Sequence, residues 1–212
     1  MICSVLFTTS VMAQEIETTE RNDIETVFKG GTRSVRGYGA LTNKFTTLGG
    51  EYANLVGAYG GVFINHKLMI GIGGAALTNR LDVPLQYSAD PLRDMNYEYG
   101  QFGLVTEYVL GSNKAFHIAF NLFSGAGFTL QNERNDWHDH DDDFDFEDDD
   151  VLDENWFFVA EPGVQFEINV FKWMRFSPGV SYRAAFGSEG LGMKDSDISN
   201  VSYNATLKFG FF

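Results

Sequence analysis

The densest chemistry in this chain is a run of carboxylates. Between Gln131 and Asn155 stand thirteen Asp and Glu residues against Arg134 alone. From Asp139 the order is Asp-His-Asp-Asp-Asp-Phe-Asp-Phe-Glu-Asp-Asp-Asp. Carboxylate oxygens at this density suit Ca²⁺ or Mg²⁺. Asp139, Asp141, Asp143, Asp145 and Glu147 are the candidate ligands, and His138 and His140 would turn the preference toward Zn²⁺ or Cu²⁺. The spacing imitates the start of an EF-hand, but Phe144 stands where that loop needs Gly, and Asp150 replaces the bidentate Glu at its twelfth position. That motif is rejected. Without cations, like charges this close repel and keep a segment extended and solvated. With them, the alternation of Phe144 and Phe146 with Asp143, Asp145 and Glu147 would allow a hairpin. The same loop could bridge through divalent cations to anionic lipopolysaccharide, or meet a basic partner.

Other chemistries find little support. The formal net charge is -14, which argues against nucleic acid, because binding a polyanion requires a basic surface. One Cys rules out a disulfide framework and a multi-thiolate zinc site. Gly71-Ile72-Gly73-Gly74-Ala75-Ala76 imitates a dinucleotide fingerprint, but no helix–strand alternation follows it. Asn200-Val201-Ser202 and Asn204-Ala205-Thr206 match the glycosylation triplet inside a predicted strand. Ser124 is a nucleophile on an apolar face, and no His or Asp joins it there. No catalytic residue and no resident cofactor are expected.

The elements that must carry the acidic loop are strands. From residue 34 onward there are about eight segments of period-two patterning, the signature of β-structure. Phe116, Ile118, Phe120 and Leu122 oppose His117, Ala119 and Asn121. Phe158, Ala160, Pro162, Val164 and Phe166 oppose Glu161, Gly163, Gln165 and Glu167. Met174, Phe176, Val180 and Tyr182 oppose Arg175, Ser177, Gly179 and Arg183. Val201, Tyr203, Ala205, Leu207 and Phe209 oppose Ser202, Asn204, Thr206 and Lys208. Segments near 34–42, 51–64 and 68–79 are Gly-rich and ambiguous in phase. No apolar run is long enough for a membrane helix.

Segment length decides which face is buried. Soluble strands run ~5–6 residues, whereas a tilted membrane strand needs ~9–11. These segments match the longer class, so the apolar face should meet lipid and the polar face a lumen. Glu107, Glu161, Glu167, Arg175, Arg183 and Lys208 then point inward as three acids against three bases. Paired, they offset one another's desolvation; the expected role is a structural plug, because eight strands leave room only for side chains. Short connections at Asn65-His66-Lys67, Gly111 to Lys114 and Phe171-Lys172-Trp173 alternate with longer ones at Asn43 to Gly50, Arg80 to Asp94, Gln131 to Asn155 and Ser188 to Ser199. The short turns are expected in the periplasm and the long loops outside. Trp156 and Trp173 should sit in the two aromatic girdles. Pro162 and Pro178 fall within strands, where each should force a bulge or a local break.

Met1 to Ala13 is uncharged and ends in a small residue before Gln14, so it reads as a signal peptide carrying Cys3. Residues 14–33 form a polar N-terminal periplasmic segment. The signal-like start, the eight alternating segments and the aromatic end Lys208-Phe209-Gly210-Phe211-Phe212 resemble the small bacterial outer-membrane barrels of the OmpA/OmpX type. The resemblance implies an all-β, eight-stranded antiparallel up-and-down transmembrane barrel over 34–212, located in the cell outer membrane of a Gram-negative bacterium. It also implies contact with outer-membrane lipid and recognition of the aromatic C-terminus by the barrel-assembly machinery. The functional expectation is a non-enzymatic barrel with an acidic surface loop at 131–155. A barrel-embedded lipid-modifying enzyme and a narrow gated channel are the alternatives.

Overall fold

The computed structural model describes residues 35–112, 114–133 and 153–210. The signal peptide, the 14–33 segment, the carboxylates between 134 and 152, and Phe211 and Phe212 lie outside the described residues. The strands are β1 (Val35–Leu48), β2 (Glu51–Ile64), β3 (Leu68–Leu77), β4 (Met95–Leu110), β5 (Phe116–Glu133), β6 (Asp153–Phe171), β7 (Met174–Phe186), the two-residue pair β8 (Glu189–Gly190) and β9 (Met193–Lys194), and β10 (Asn200–Gly210). A single helical turn, α1 (Asp195–Ile198), precedes β10. Among the described residues no helix is long and apolar enough to cross a membrane.

Eight strands close into one barrel in the order β1-β10-β7-β6-β5-β4-β3-β2, with every neighbour antiparallel. The circle closes where β1 meets β10, Tyr38 opposite Gly210 and Phe45 opposite Tyr203. Closure leaves no strand edge with unpaired backbone, which lipid would not tolerate. The outer face is apolar: Leu41, Phe102, Leu104, Phe120, Leu122, Phe166 and Tyr182 are all exposed. The inner face carries Thr42, Gln101, Glu107, Glu161, Glu167, Arg175, Arg183 and Lys208, all buried. This inside-out polarity identifies the solvent of the outer wall as hydrocarbon.

The Gly-rich strands β2 and β3 resolve into the same alternation, and inward glycines there and in β4 and β5 allow adjacent strands to approach closely. A Cβ on Gly103 would lie 2.4 Å from the Ser124 carbonyl oxygen, and one on Gly125 only 2.2 Å from that of Phe102. Gly103 and Gly125 face each other in register, so the two strands fit this closely there only because neither has a side chain.

One sequence expectation requires correction. Asn43 to Gly50 is not a loop. β1 runs on to Leu48, and Gly49-Gly50, both at positive φ (59° and 85°), make a two-residue hairpin turn. The polar stretch Thr42, Lys44, Thr46 resembles a loop in sequence because those side chains line a polar lumen. The prolines produce the local break expected of them, and not a bulge. Across β6 and β7 the register is unchanged on either side of them, from Phe158 opposite Phe186 to Asn169 opposite Arg175, and the single shift falls at Asn169/Phe171. The bridging pattern instead lapses at residues 161–162 and 166–167, beside Pro162 and opposite Pro178, and then resumes. Both prolines therefore direct their missing N–H into the same seam, while each stays paired on its other side, Pro162 with Leu122 and Pro178 with Ala205.

The mouth opposite the short turns is covered. β4, β5 and β6 have 16, 18 and 19 residues, well beyond the ~9–11 a bilayer needs, and their surplus projects on that side. There Met193 and Ile198 are buried from the 187–199 segment, together with Leu81 and Tyr97. The Gly49 amide donates to the Asp197 carbonyl at 2.9 Å and the Tyr97 hydroxyl to the Leu191 carbonyl at 2.7 Å. Gln131 ties the two loops together, donating to the carbonyls of Tyr87 (2.9 Å) and Leu191 (3.3 Å).

Candidate functional site

The lumen contains the polar chemistry of the described residues, in three layers. Nearest the short turns, Lys208 Nζ lies 2.8 Å from Glu107 Oε1 and also bonds Glu167. Glu167 accepts from Arg175 Nη1 at 3.2 Å and meets His117 Nε2 at 2.6 Å. The other His117 ring nitrogen faces the Lys114 carbonyl at 3.2 Å. Glu107 also accepts from the hydroxyl of Tyr59 at 2.8 Å and from that of Tyr38. Alternation explains the convergence: β4, β6 and β10 each turn every second residue inward, and the stagger of the closed sheet brings residues 107, 167 and 208 to one level.

The middle layer is centred on Glu161. Lys44 Nζ is 2.7 Å from its Oε2, Gln101 donates to the same oxygen at 3.0 Å, and Ser181 donates to Oε1 at 2.6 Å. Beside it is a cavity of about 40 Å³ lined by Thr42, Lys44, Gln101, Asn121, Gln165 and Asn204 among others. Near the capped mouth, Arg183 donates to the carbonyls of Ile198 (2.9 Å) and Thr47 (3.1 Å) and lies 5.0 Å over the Tyr99 ring.

All six charged residues expected in the lumen are therefore inward and buried, but they are not three simple pairs. Glu107 and Glu167 share Lys208, and Arg175 adds to Glu167. Arg183 has no carboxylate partner among the described residues. It anchors the cap through backbone carbonyls and a cation–π contact. The base that neutralises Glu161 is Lys44, which stands in a stretch whose polar composition imitates a loop. The signal that would have found it is the Thr42-x-Lys44-x-Thr46 alternation. Gln101 shares the inward phase of Glu107 and carried that signal; Tyr38 and Tyr59, which satisfy the remaining lone pairs of Glu107, did not. A low-dielectric interior makes an unpaired charge costly and a fully bonded one tolerable, so this network is a polar core that fills the barrel.

The candidate metal ligands Asp139, Asp141, Asp143, Asp145 and Glu147 lie outside the described residues. Among the described residues no group of three or more His, Cys, Asp or Glu side chains is arranged to hold a metal ion. The strands that flank the acidic segment end at Glu133 and Asp153, on the capped side. That rim is itself acidic: Glu51, Asp82, Asp94, Glu98, Glu133 and Glu154 are exposed there, against Arg80, Arg93 and Lys194. Arg93 pairs with Glu133 at 2.7 Å and Asp90 at 3.2 Å. Trp156 at this level packs on Phe128 and Phe102 (centroids 5.2 and 6.1 Å). At the opposite rim Phe171, Trp173 and Phe209 stack at 5.6 and 6.2 Å. These are the two interfacial girdles of a spanning barrel. Ser124 sits on the lipid face between Leu104 and Ala160 in register.

An apolar outer wall with girdles at both ends and a polar lumen places the chain in a membrane, and closed antiparallel barrels of this kind belong to the bacterial outer membrane. No protein-family model matches the sequence, and no curated protein matches it. Solved structures do match in fold. The chain is similar to Neisserial surface protein A, with a TM-score of 0.54 at 10% identity, over 86% of this chain and 100% of that one. It also aligns with the N-terminal β-barrel domain of Pseudomonas aeruginosa OprF, with a TM-score of 0.49 at 8% identity, over 84% and 100%. At such identities the likeness to Neisserial surface protein A speaks for the fold alone, and that fold is the small outer-membrane β-barrel.

Proposed function

We propose that this chain is a non-enzymatic outer-membrane surface protein whose acidic extracellular end collects divalent cations. Asp139, Asp141, Asp143, Asp145 and Glu147 supply the oxygen ligands, and the bound cations bridge to anionic glycolipid or relieve repulsion enough to admit a protein partner. The observation that carries this reading is the charge of the capped rim. The described carboxylates there outnumber the bases, and the 134–152 segment is anchored on that rim by β5 and β6, so its charge adds to theirs. Hard carboxylate oxygens select Ca²⁺ or Mg²⁺. The filled lumen supports a surface role over a conducting one. Ser124 is flanked by Leu104 and Ala160 in register and has no base beside it among the described residues, whereas lipid hydrolysis would need one.

The test is calorimetric titration of Ca²⁺ and Zn²⁺ into the folded protein, beside a variant with Asp136 to Asp150 replaced by a Gly/Ser linker. Saturable heat that disappears with the loop is the expected result. Equal heat in both forms, or none in either, would remove the acidic loop from the function.

A further inference from the structure

The opposite rim has the opposite charge. Lys67 lies in the β2–β3 turn, Lys114 in the β4–β5 turn and Lys172 in the β6–β7 turn, and all three are exposed. Arg36 stands at the fourth position, beside the β10–β1 seam where the circle closes. Given the strand order, the turns occupy alternate seams, so one cation falls in each quarter of the rim. The described carboxylates at this end are Glu107 and Glu167, and both are buried in the lumen on cations of their own.

The lysines are also at a defined depth. Lys172 stands in sequence between Phe171 and Trp173, whose rings stack on each other at 5.6 Å. Lys114 is two residues from Phe116, which stacks on Phe166 at 5.9 Å. Lys67 immediately precedes Leu68, the first residue of β3. Aromatic rings of a girdle rest at the headgroup level, and lysine stems extend from apolar surface so that their ammonium groups reach the polar layer. The rim cations are therefore held in the plane of the lipid phosphates rather than projected into the aqueous compartment.

We infer that the periplasmic rim is a binding surface for anionic phospholipid headgroups, each lysine taking the phosphodiester of an adjacent lipid, while the acidic opposite rim disfavours the same lipids. Positive charge at a membrane surface of negative potential, spread over independent positions, gains affinity per residue. The expected preference is about fivefold for each lysine.

The experiment uses the three tryptophans as local probes. With Trp137 and Trp156 changed to Phe, Trp173 alone reports the basic rim; with Trp137 and Trp173 changed, Trp156 reports the acidic one. The folded barrel is placed in vesicles of phosphatidylcholine containing either brominated phosphatidylglycerol or brominated phosphatidylcholine, and quenching gives the relative occupancy of the two lipids. Trp173 should favour phosphatidylglycerol about fivefold, and Trp156 should not favour it. K172Q, beside the probe, should abolish the Trp173 preference while the barrel still folds, as should high salt. Equal quenching by both lipids at Trp173, or the same preference at both tryptophans, would overturn the inference. Displacement of phosphatidylglycerol from Trp173 by soluble peptidoglycan fragments would overturn it in favour of a cell-wall partner.

Discussion

Replacing Lys208 by Met isolates what the lumen network contributes. Lys208 bonds both Glu107 and Glu167 and is almost fully buried. Without it the two acids are not equally exposed to the loss. Glu167 retains Arg175 at 3.2 Å and His117 at 2.6 Å. Glu107 retains hydrogen bonds from Tyr38 and Tyr59 and only the more distant charge of Arg175. Leaving a buried charge without its partner costs about 3–5 kcal/mol. The residual donors and the field of Arg175 place K208M near the lower end, about 3 kcal/mol, which is roughly a hundredfold in the folding equilibrium. The reverse change is milder: E107Q leaves Lys208 on Glu167 and should cost about 1 kcal/mol, the scale of one hydrogen bond. In the double variant the stranded charge is gone, so the K208M cost should fall by about 2 kcal/mol when E107Q is already present. The assay is reversible denaturant unfolding of the barrel in lipid vesicles, followed by tryptophan fluorescence, with the four proteins forming a double-mutant cycle. If the two substitutions simply add, Lys208 acts through packing and the electrostatic account of the lumen is wrong.

Other substitutions test separate parts of the architecture. Leu122 faces lipid near mid-strand and its neighbour Asn121 faces the lumen, so L122R should cost about 2–4 kcal/mol in the same unfolding assay and N121R less. G125V places side-chain atoms against the Phe102 carbonyl across the wall. It should fail to give the compact band of the folded barrel on an unheated gel, or lose at least the ~1–3 kcal/mol of an overpacked site. R183A removes the donors that hold Ile198 and Thr47. Amide exchange at Gly49, which bonds the Asp197 carbonyl, should accelerate while β4 and β5 stay protected, the pattern of local opening.

The strands from β4 onward were legible because bulky apolar residues alternate with polar ones. On β5, Phe116, Ile118, Phe120 and Leu122 identify the lipid side without ambiguity, and the inward phase of His117 and Asn121 follows. β1 was harder. Its inward residues Thr42, Lys44 and Thr46 are as polar as any loop, and in a barrel whose core is polar that composition does not separate strand from turn. The inverted solvent thus hid the residue that neutralises Glu161. The local breaks at Pro162 and Pro178 were legible from residue type alone, because proline lacks the donor a ladder needs; the register survives them because the strand on the other side remains paired. The cap was illegible because it depends on contacts between distant segments, such as Arg183 with Ile198 and Gln131 with Tyr87, that no local period encodes.

The claim on which everything else rests is that the apolar face of the wall meets lipid and the charged face meets a closed lumen. Single cysteines placed in turn at residues 117 to 123 of β5, on a chain lacking Cys3, the sole native thiol, and spin-labelled in vesicles would test it directly. Collision with lipid-soluble oxygen should be high at residues 118, 120 and 122 and low at 117, 119, 121 and 123, with a water-soluble relaxant excluded from both sets. High aqueous accessibility at the odd positions would mean an open channel, and oxygen accessibility at the odd positions instead of the even ones would mean the wall is the other way round.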